Sequence, residues 1–183
     1  VILLTIAALL ISACAPAAPA SKLDAIKKAG KIVVGTSPDY PPFESKDASG
    51  NFIGFDVDLM NEIAKRLGVT VEWTDMPFDS LVAAVQTGKL DASISGFNYD
   101  EKRAEKVDFT EQYYAVKDAF MVAGSFTGTF SKPEDLANYK VAAQSGTTQD
   151  SWITDNLVKA GLLPEANYFR YDRVDQAALD VKS

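Results

Sequence analysis

The sequence predicts an α/β fold with mainly parallel sheets, because strand-like and helix-like segments alternate along the chain. An apolar run at 32–34 is typical of a buried strand, and Leu59, Ile63 and Leu67 then recur at helical spacing. The composition indicates a globular body, since 47% of the 183 residues are hydrophobic and no segment after residue 20 approaches transmembrane length.

The elements follow from apolar periodicity, from β-branched runs and from the glycines that end helices. The first set comprises a strand at 32–34, a helix at 58–67, a strand at 69–73, a helix capped by Asp79 and ended by Gly88, a strand at 91–95, and a short polar helix at 100–106 capped by Asp100. The second set comprises an apolar run at 119–122, a loop at 131–135, a strand at 141–143, a helix at 148–160, a strand at 168–171, and a helix at 173–182 with Val174, Ala177, Ala178 and Val181 inward.

The amino-acid composition narrows the classes of partner and chemistry that the sequence predicts. The net charge of -7 makes nucleic acid an improbable partner, because phosphate binding needs a basic face. The chain has no histidine and one cysteine, so the commonest general base and the usual zinc ligands are missing. Neither a glycine-rich dinucleotide motif nor a P-loop occurs. The sequence therefore predicts no metal and no cofactor.

The amino terminus indicates location. An apolar run at 1–11 is followed by Ser12, Ala13 and Cys14, which resembles a bacterial lipobox whose cysteine is acylated. The alternative is an incidental cysteine in an ordinary signal peptide or clipped membrane helix. We expect a partial lipoprotein signal peptide at 1–14, then a tether and first helix at 15–30. We also expect the chain to be truncated at both ends.

Four motifs occur in a fixed order: Tyr40-Pro-Pro-Phe43, the stretch 54–67 that begins Gly-Phe-Asp-Val-Asp-Leu, the stretch 95–103, and the stretch 144–150. Together they resemble the bacterial family 3 solute-binding proteins, the polar amino-acid receptors of ABC importers. The resemblance implies a type II periplasmic-binding-protein-like fold with a hinge, lobe 1 at 31–121 and an incomplete lobe 2 at 122–183. It implies a monomer in the periplasm or at the cell surface, lipid-anchored through Cys14, that delivers a free amino acid to permease subunits.

Arg103 is the residue that the resemblance assigns to the ligand carboxylate, for which a guanidinium offers a matching planar fork. The alternative is a solvated helix arginine that pairs with Glu105 or Asp100. The same motif implies ligand contacts from the residues that follow a parallel strand: Ser95, Gly96 and Asn98. Ordinary turn chemistry also explains the glycine and the asparagine.

In lobe 2 the resemblance assigns Thr147 and Thr148 to the ligand carboxylate and Gln149 to its neighbourhood. Either threonine is also a suitable helix cap. Tyr40 and Phe78 match the aromatic walls around the ligand side chain, although both could belong to the core. Residue type alone does not decide between ligand contact and these structural roles.

Ser37 stands where many members for basic amino acids carry an acid, and Asp39 lies nearby but out of register. Ser37 is therefore a ligand candidate that weakens the assignment of lysine, arginine or histidine as ligand. Asp56 and Asp58 are interpreted as acids at a helix start, and Tyr113 and Tyr114 as hinge packing.

The sequence thus predicts a binding protein without catalysis. Two alternatives share the fold: an enzyme of the cyclohexadienyl dehydratase type, and the sensing domain of a membrane sensor or a transglycosylase. A shared fold does not decide among them.

Overall fold

The computed structural model describes residues 21–183. The predictions for Cys14 and for most of the tether lie outside these residues. In chain order the elements are α1 (Lys22–Ala29), β1 (Lys31–Thr36), β2 (Ser45–Lys46), β3 (Phe52–Ile53), α2 (Phe55–Leu67), β4 (Thr70–Asp75), α3 (Phe78–Gln86), β5 (Ala92–Ser93), α4 (Glu101–Ala104), β6 (Val141–Gln144), α5 (Thr148–Ile153), β7 (Tyr168–Tyr171) and α6 (Val174–Lys182). None of these helices is both long enough and apolar enough to cross a membrane.

The first sheet has the order β4-β1-β5, with all neighbours parallel. Its central strand buries Val34 completely, and α2 contributes Met60 and Ala64 to the same core. On the other side, α3 packs Leu81 against the sheet. Gly35 allows this approach, because a Cβ there would lie 2.8 Å from a Leu81 methyl and 2.3 Å from a Leu90 methyl.

The second sheet consists of β6 and β7, which are parallel and pair Val141 with Tyr168. Its core is separate from that of the first sheet and is closed by a 3-10 helix at Pro133–Asn138. One of these two parallel sheets lies in each of the two predicted lobes, and the boundaries at 121 and 122 stay predictions. The mainly parallel α/β fold is confirmed; the one antiparallel pair among the named strands is the short β2–β3 pair.

Several local predictions were wrong. Asp79 does not cap α3, because the helix begins at Phe78 after Pro77 and has no side-chain cap. The helix predicted at 148–160 ends as an α-helix at Ile153 and continues as a π-helical turn over Thr154–Val158. Of the four residues expected inward on the last helix, Ala177 alone is buried.

Candidate functional site

The Ser95 hydroxyl connects the carboxyl ends of β1 and β5. It accepts a hydrogen bond from the Ser37 backbone N–H at 3.0 Å and one from the Thr36 hydroxyl at 3.4 Å, and it donates to Glu44 Oε1 at 3.0 Å. All four side chains are buried. Ser95 and Ser37 are therefore held in one network below the loop of residues 95–98, which we call the 95–98 loop.

Gly96 gives this loop its turn. Its φ of +57° lies in the left-handed region that favours glycine. Its N–H donates to Asp56 Oδ2 at 2.9 Å, which leaves the carbonyl oxygen as its main-chain group for a ligand. A Cβ at this position would lie 3.6 Å from the Tyr40 ring, which stacks on Phe43. Tyr40 thus covers the loop and remains 43% exposed.

The position of Arg103 is set by the N-cap of α4, because the Asp100 carboxylate accepts a hydrogen bond from the Arg103 backbone N–H at 3.0 Å. The guanidinium donates to the Asn98 carbonyl at 2.9 Å and to the Gly146 carbonyl of the second lobe at 2.7 Å. Burial lowers the pKa of Arg103, but its ordinary value is so high that the group stays charged. Its side chain pairs with neither Asp100 nor Glu105, so the alternative of a helix ion pair is wrong within residues 21–183.

Two aromatic rings lie beside the guanidinium. Phe78 and Phe97 lie 4.6 Å apart, and the Arg103 Cζ is 5.4 Å from each ring centroid. These are cation–π distances. Phe78 is 7% exposed and therefore belongs both to the core and to the wall beside Arg103. A cavity of about 170 Å³ adjoins them, lined by Phe78, Asp79, Val82, Phe97, Lys102, Arg103, Lys106 and Gly146.

The second lobe presents its threonines to the same place. Thr147 caps α5, because its hydroxyl accepts the Asp150 N–H at 3.1 Å. The Thr148 hydroxyl accepts from the Asn98 amide at 2.8 Å, which joins the two lobes. Gln149 instead donates to Asp118 at 2.6 Å, in the segment that precedes the second sheet.

A second group of contacts between the lobes surrounds Asp39, which sequence reasoning had set aside. Its Oδ2 accepts from the Gln144 amide at 2.9 Å and from the Val174 N–H at 2.7 Å. Arg173 donates to the Ser37 hydroxyl at 3.3 Å and pairs with Asp75. Burial raises the pKa of Asp39. Neither Gln144 nor Arg173 was predicted for the site; the available signal was that Gln144 is the last residue of β6 and Arg173 directly precedes α6.

Asp56 also has a role that the sequence did not reveal. It lies in the first turn of α2 but makes no cap, since Gly54 at the cap position has no side chain. Its Oδ2 accepts from Gly96 and, at 2.9 Å, from the Tyr113 hydroxyl. Asp58 is exposed, as expected for an acid at a helix start. Tyr113 also stacks on Phe55, with ring centroids 6.1 Å apart.

The geometry brings the Arg103 guanidinium, several oxygens and two aromatic walls to the boundary between two α/β lobes. The model of the bacterial extracellular solute-binding proteins, family 3, matches residues 32–172. The chain therefore belongs to that family.

The similar proteins are periplasmic or amino-acid-binding proteins. The chain is 33% identical over 132 residues to the histidine-binding periplasmic protein of Salmonella typhimurium, covering 72% of this chain and 50% of that protein. It is 34% identical to ABC transporter arginine-binding protein 1 of Escherichia coli, covering 85% and 60%. The crystal structure of the ancestral amino acid-binding protein AncCDT-1, a precursor of cyclohexadienyl dehydratase, superposes with a TM-score of 0.78 at 36% identity, covering 88% and 69%.

The chain thus spans half the length of the first of these relatives and 60% of the second. The solved structures that resemble this chain have the type II periplasmic-binding-protein-like fold that the sequence predicted.

Proposed function

We propose that this chain belongs to the extracytoplasmic substrate-binding component of an ABC importer, which binds a polar amino acid between its lobes and delivers it to the permease. The observation that carries the proposal is the position of Arg103. Its guanidinium lies beside a pair of aromatic rings and reaches the Gly146 carbonyl in the opposite lobe. The bonds within residues 21–183 use two of its five N–H donors, so a carboxylate can take others.

The remaining groups suit the other parts of a zwitterion. The Thr148 hydroxyl and the Asn98 amide lie at the same boundary and can bind the carboxylate. The Gly96 carbonyl is an acceptor for the ammonium group. Tyr40 and Phe78 supply walls for the side chain, and Ser37 supplies a hydroxyl rather than an acid. Three further side chains support this set: the hydroxyl of Ser95 holds the loop, the hydroxyl of Thr147 caps α5, and the amide of Gln149 bonds Asp118.

Binding acts by population shift. A ligand that contacts both lobes favours the closed arrangement, which the permease then recognises. No reaction is required of any residue in this scheme. The proposal extends to a monomer anchored by acylated Cys14; mass spectrometry of the mature amino terminus tests the anchor, and an unmodified residue or cleavage elsewhere would overturn it.

A thermal-shift screen of the full-length protein tests the function. The panel contains basic amino acids, because the relatives bind histidine and arginine, and uncharged polar ones, because Ser37 is no acid. A true ligand raises the melting temperature by mass action. Turnover of prephenate or arogenate in a parallel assay would favour the enzymatic alternative instead.

A further inference from the structure

Two buried acids lie side by side beneath the 95–98 loop. Glu44 is 1% exposed and Asp56 is fully buried. Buried carboxylates normally pair with a cation, because removing a charge from water is costly. Within residues 21–183 neither of these side chains bonds a lysine or an arginine, and the charges that act on Glu44 come from Asp56 and Asp39, both acids.

Of the four carboxylate oxygens, two accept hydrogen bonds and two have no donor among the described residues. Glu44 Oε1 accepts from the Ser95 hydroxyl, and Asp56 Oδ2 accepts from the Gly96 N–H and the Tyr113 hydroxyl. The other two oxygens, Glu44 Oε2 and Asp56 Oδ1, are buried without a donor in the described residues. The two carboxyl groups contact adjacent residues of the same loop, and a hydrogen bond between them is among the causes that shift both pKa values. One shared proton would supply a donor to the pair and remove one negative charge.

We propose that Glu44 and Asp56 share one proton and that this pair is a positioning device, which holds Ser95 and Gly96 in the conformation that binds the amino acid. The proposal deepens the proposed function and rests on it. Glu44 fixes the Ser95 side chain, and Asp56 fixes the left-handed turn at Gly96 through its N–H. Neither acid touches the ligand in this scheme; both act through the loop.

The proton belongs mainly to Glu44. Burial, and next the charge of Asp56, raise the pKa of Glu44 to about 9. Burial also raises the pKa of Asp56, but hydrogen bonds from Gly96, Tyr113 and Glu44 oppose this and favour its ionised form. A neutral Glu44 that donates to an ionised Asp56 is the arrangement that agrees with every partner.

The sign of the pH dependence follows from linkage. The folded protein holds the Glu44 proton more tightly than the unfolded chain, whose glutamate has a pKa near 4.5. The contribution of Glu44 to stability is therefore fully present below that value and is lost as the pH rises toward about 9. A glutamine at this position keeps a donor for Asp56 and an acceptor for Ser95 but does not titrate.

The test uses Glu44→Ala, Glu44→Gln and the matched control Glu62→Gln, an exposed acid on α2. In the full-length protein, binding of L-arginine, L-histidine and L-glutamine is measured by calorimetry, and the melting temperature is measured without ligand from pH 5 to pH 9.5. We expect Glu44→Ala to weaken binding about tenfold, as for a lost buried hydrogen bond, and Glu44→Gln to restore most of that loss. The melting temperature of Glu44→Gln relative to wild type should rise with pH, whereas that of Glu62→Gln should not.

A Glu44→Gln curve parallel to wild type would overturn the shared proton, and that comparison stands even where Glu44→Ala fails to fold. Failure of Glu44→Gln to restore binding would overturn the positioning role. If wild type binds none of the common amino acids while the pH-dependent difference persists, the proposed function fails and the shared proton is supported.

Discussion

Replacing Arg103 by alanine should weaken amino-acid binding about 10- to 100-fold in the full-length protein. Hydrogen bonds to charged groups contribute about 1.5–3 kcal/mol each, and about 1.4 kcal/mol corresponds to a tenfold change in affinity. Loss of one such bond alone therefore accounts for the lower limit. The two carbonyl bonds of Arg103 also disappear, so a fall in melting temperature accompanies the loss of affinity.

Arg103→Lys separates charge from geometry. Lysine keeps the positive charge but lacks the planar guanidinium that lies beside Phe78 and Phe97. We expect this variant to bind at least about fivefold more weakly than wild type, since a lysine makes a single-point contact with a carboxylate. Arg66→Ala on α2 is the matched control, because that arginine is exposed and pairs with Glu62.

Calorimetric titration of the three variants and the wild type tests whether Arg103 binds the ligand carboxylate. Unchanged affinity in Arg103→Ala, with heats equal to those of Arg66→Ala, would refute the assignment of Arg103 to the ligand carboxylate. A loss in Arg66→Ala as large as in Arg103→Ala would show that the effect is one of net charge.

Three further predictions concern contacts around the site. Thr148→Val should weaken binding about three- to tenfold, because it removes the hydroxyl that accepts from Asn98 across the lobes; an unchanged dissociation constant in a fluorescence titration would count against this. Arg173→Ala should destabilise the protein by up to about 1 kcal/mol through loss of its partly exposed pair with Asp75, an effect that shrinks in high salt; equal melting temperatures of variant and wild type at low salt would show that the pair contributes nothing. Burial raises the pKa of Asp150, but hydrogen bonds from Tyr168, from the Gly146 N–H and from Arg170 outweigh it and hold that pKa below its ordinary value. The stabilisation from Asp150 is therefore present above about pH 4 and is lost as the pH falls. Asp150→Asn should therefore flatten the acid side of the curve of unfolding free energy against pH, and a curve as steep as that of wild type would argue against this role.

The alternating apolar pattern was sufficient for the sheets and most helices. Helix α2 follows from apolar spacing, although the residues that set the spacing flank the core: Met60 and Ala64 are buried, whereas Ile63 is exposed. Strand β1 follows from a short apolar run in which Ile32 and Val34 are buried. The helix starts were less predictable. At α3 a proline precedes the helix and occupies the position that the sequence pattern gave to Asp79, and nothing local distinguishes the two.

The site divides in the same way. Arg103, Asn98 and Thr148 could be named from motifs, because each lies directly beside the element that positions it. Glu44 and Asp56 could not, since each is an ordinary acid in sequence and becomes unusual only when folding buries both against the loop at 95–98. Contacts between residues that are 40 and 51 positions apart leave no local pattern to detect.

Isothermal titration of the full-length protein with individual amino acids tests whether this family member captures an amino acid between its lobes. We predict saturable binding of one ligand per chain for at least one polar amino acid, with affinity that depends on Arg103. Absence of binding across the complete set of common amino acids, from protein whose thermal unfolding is cooperative, would contradict the account.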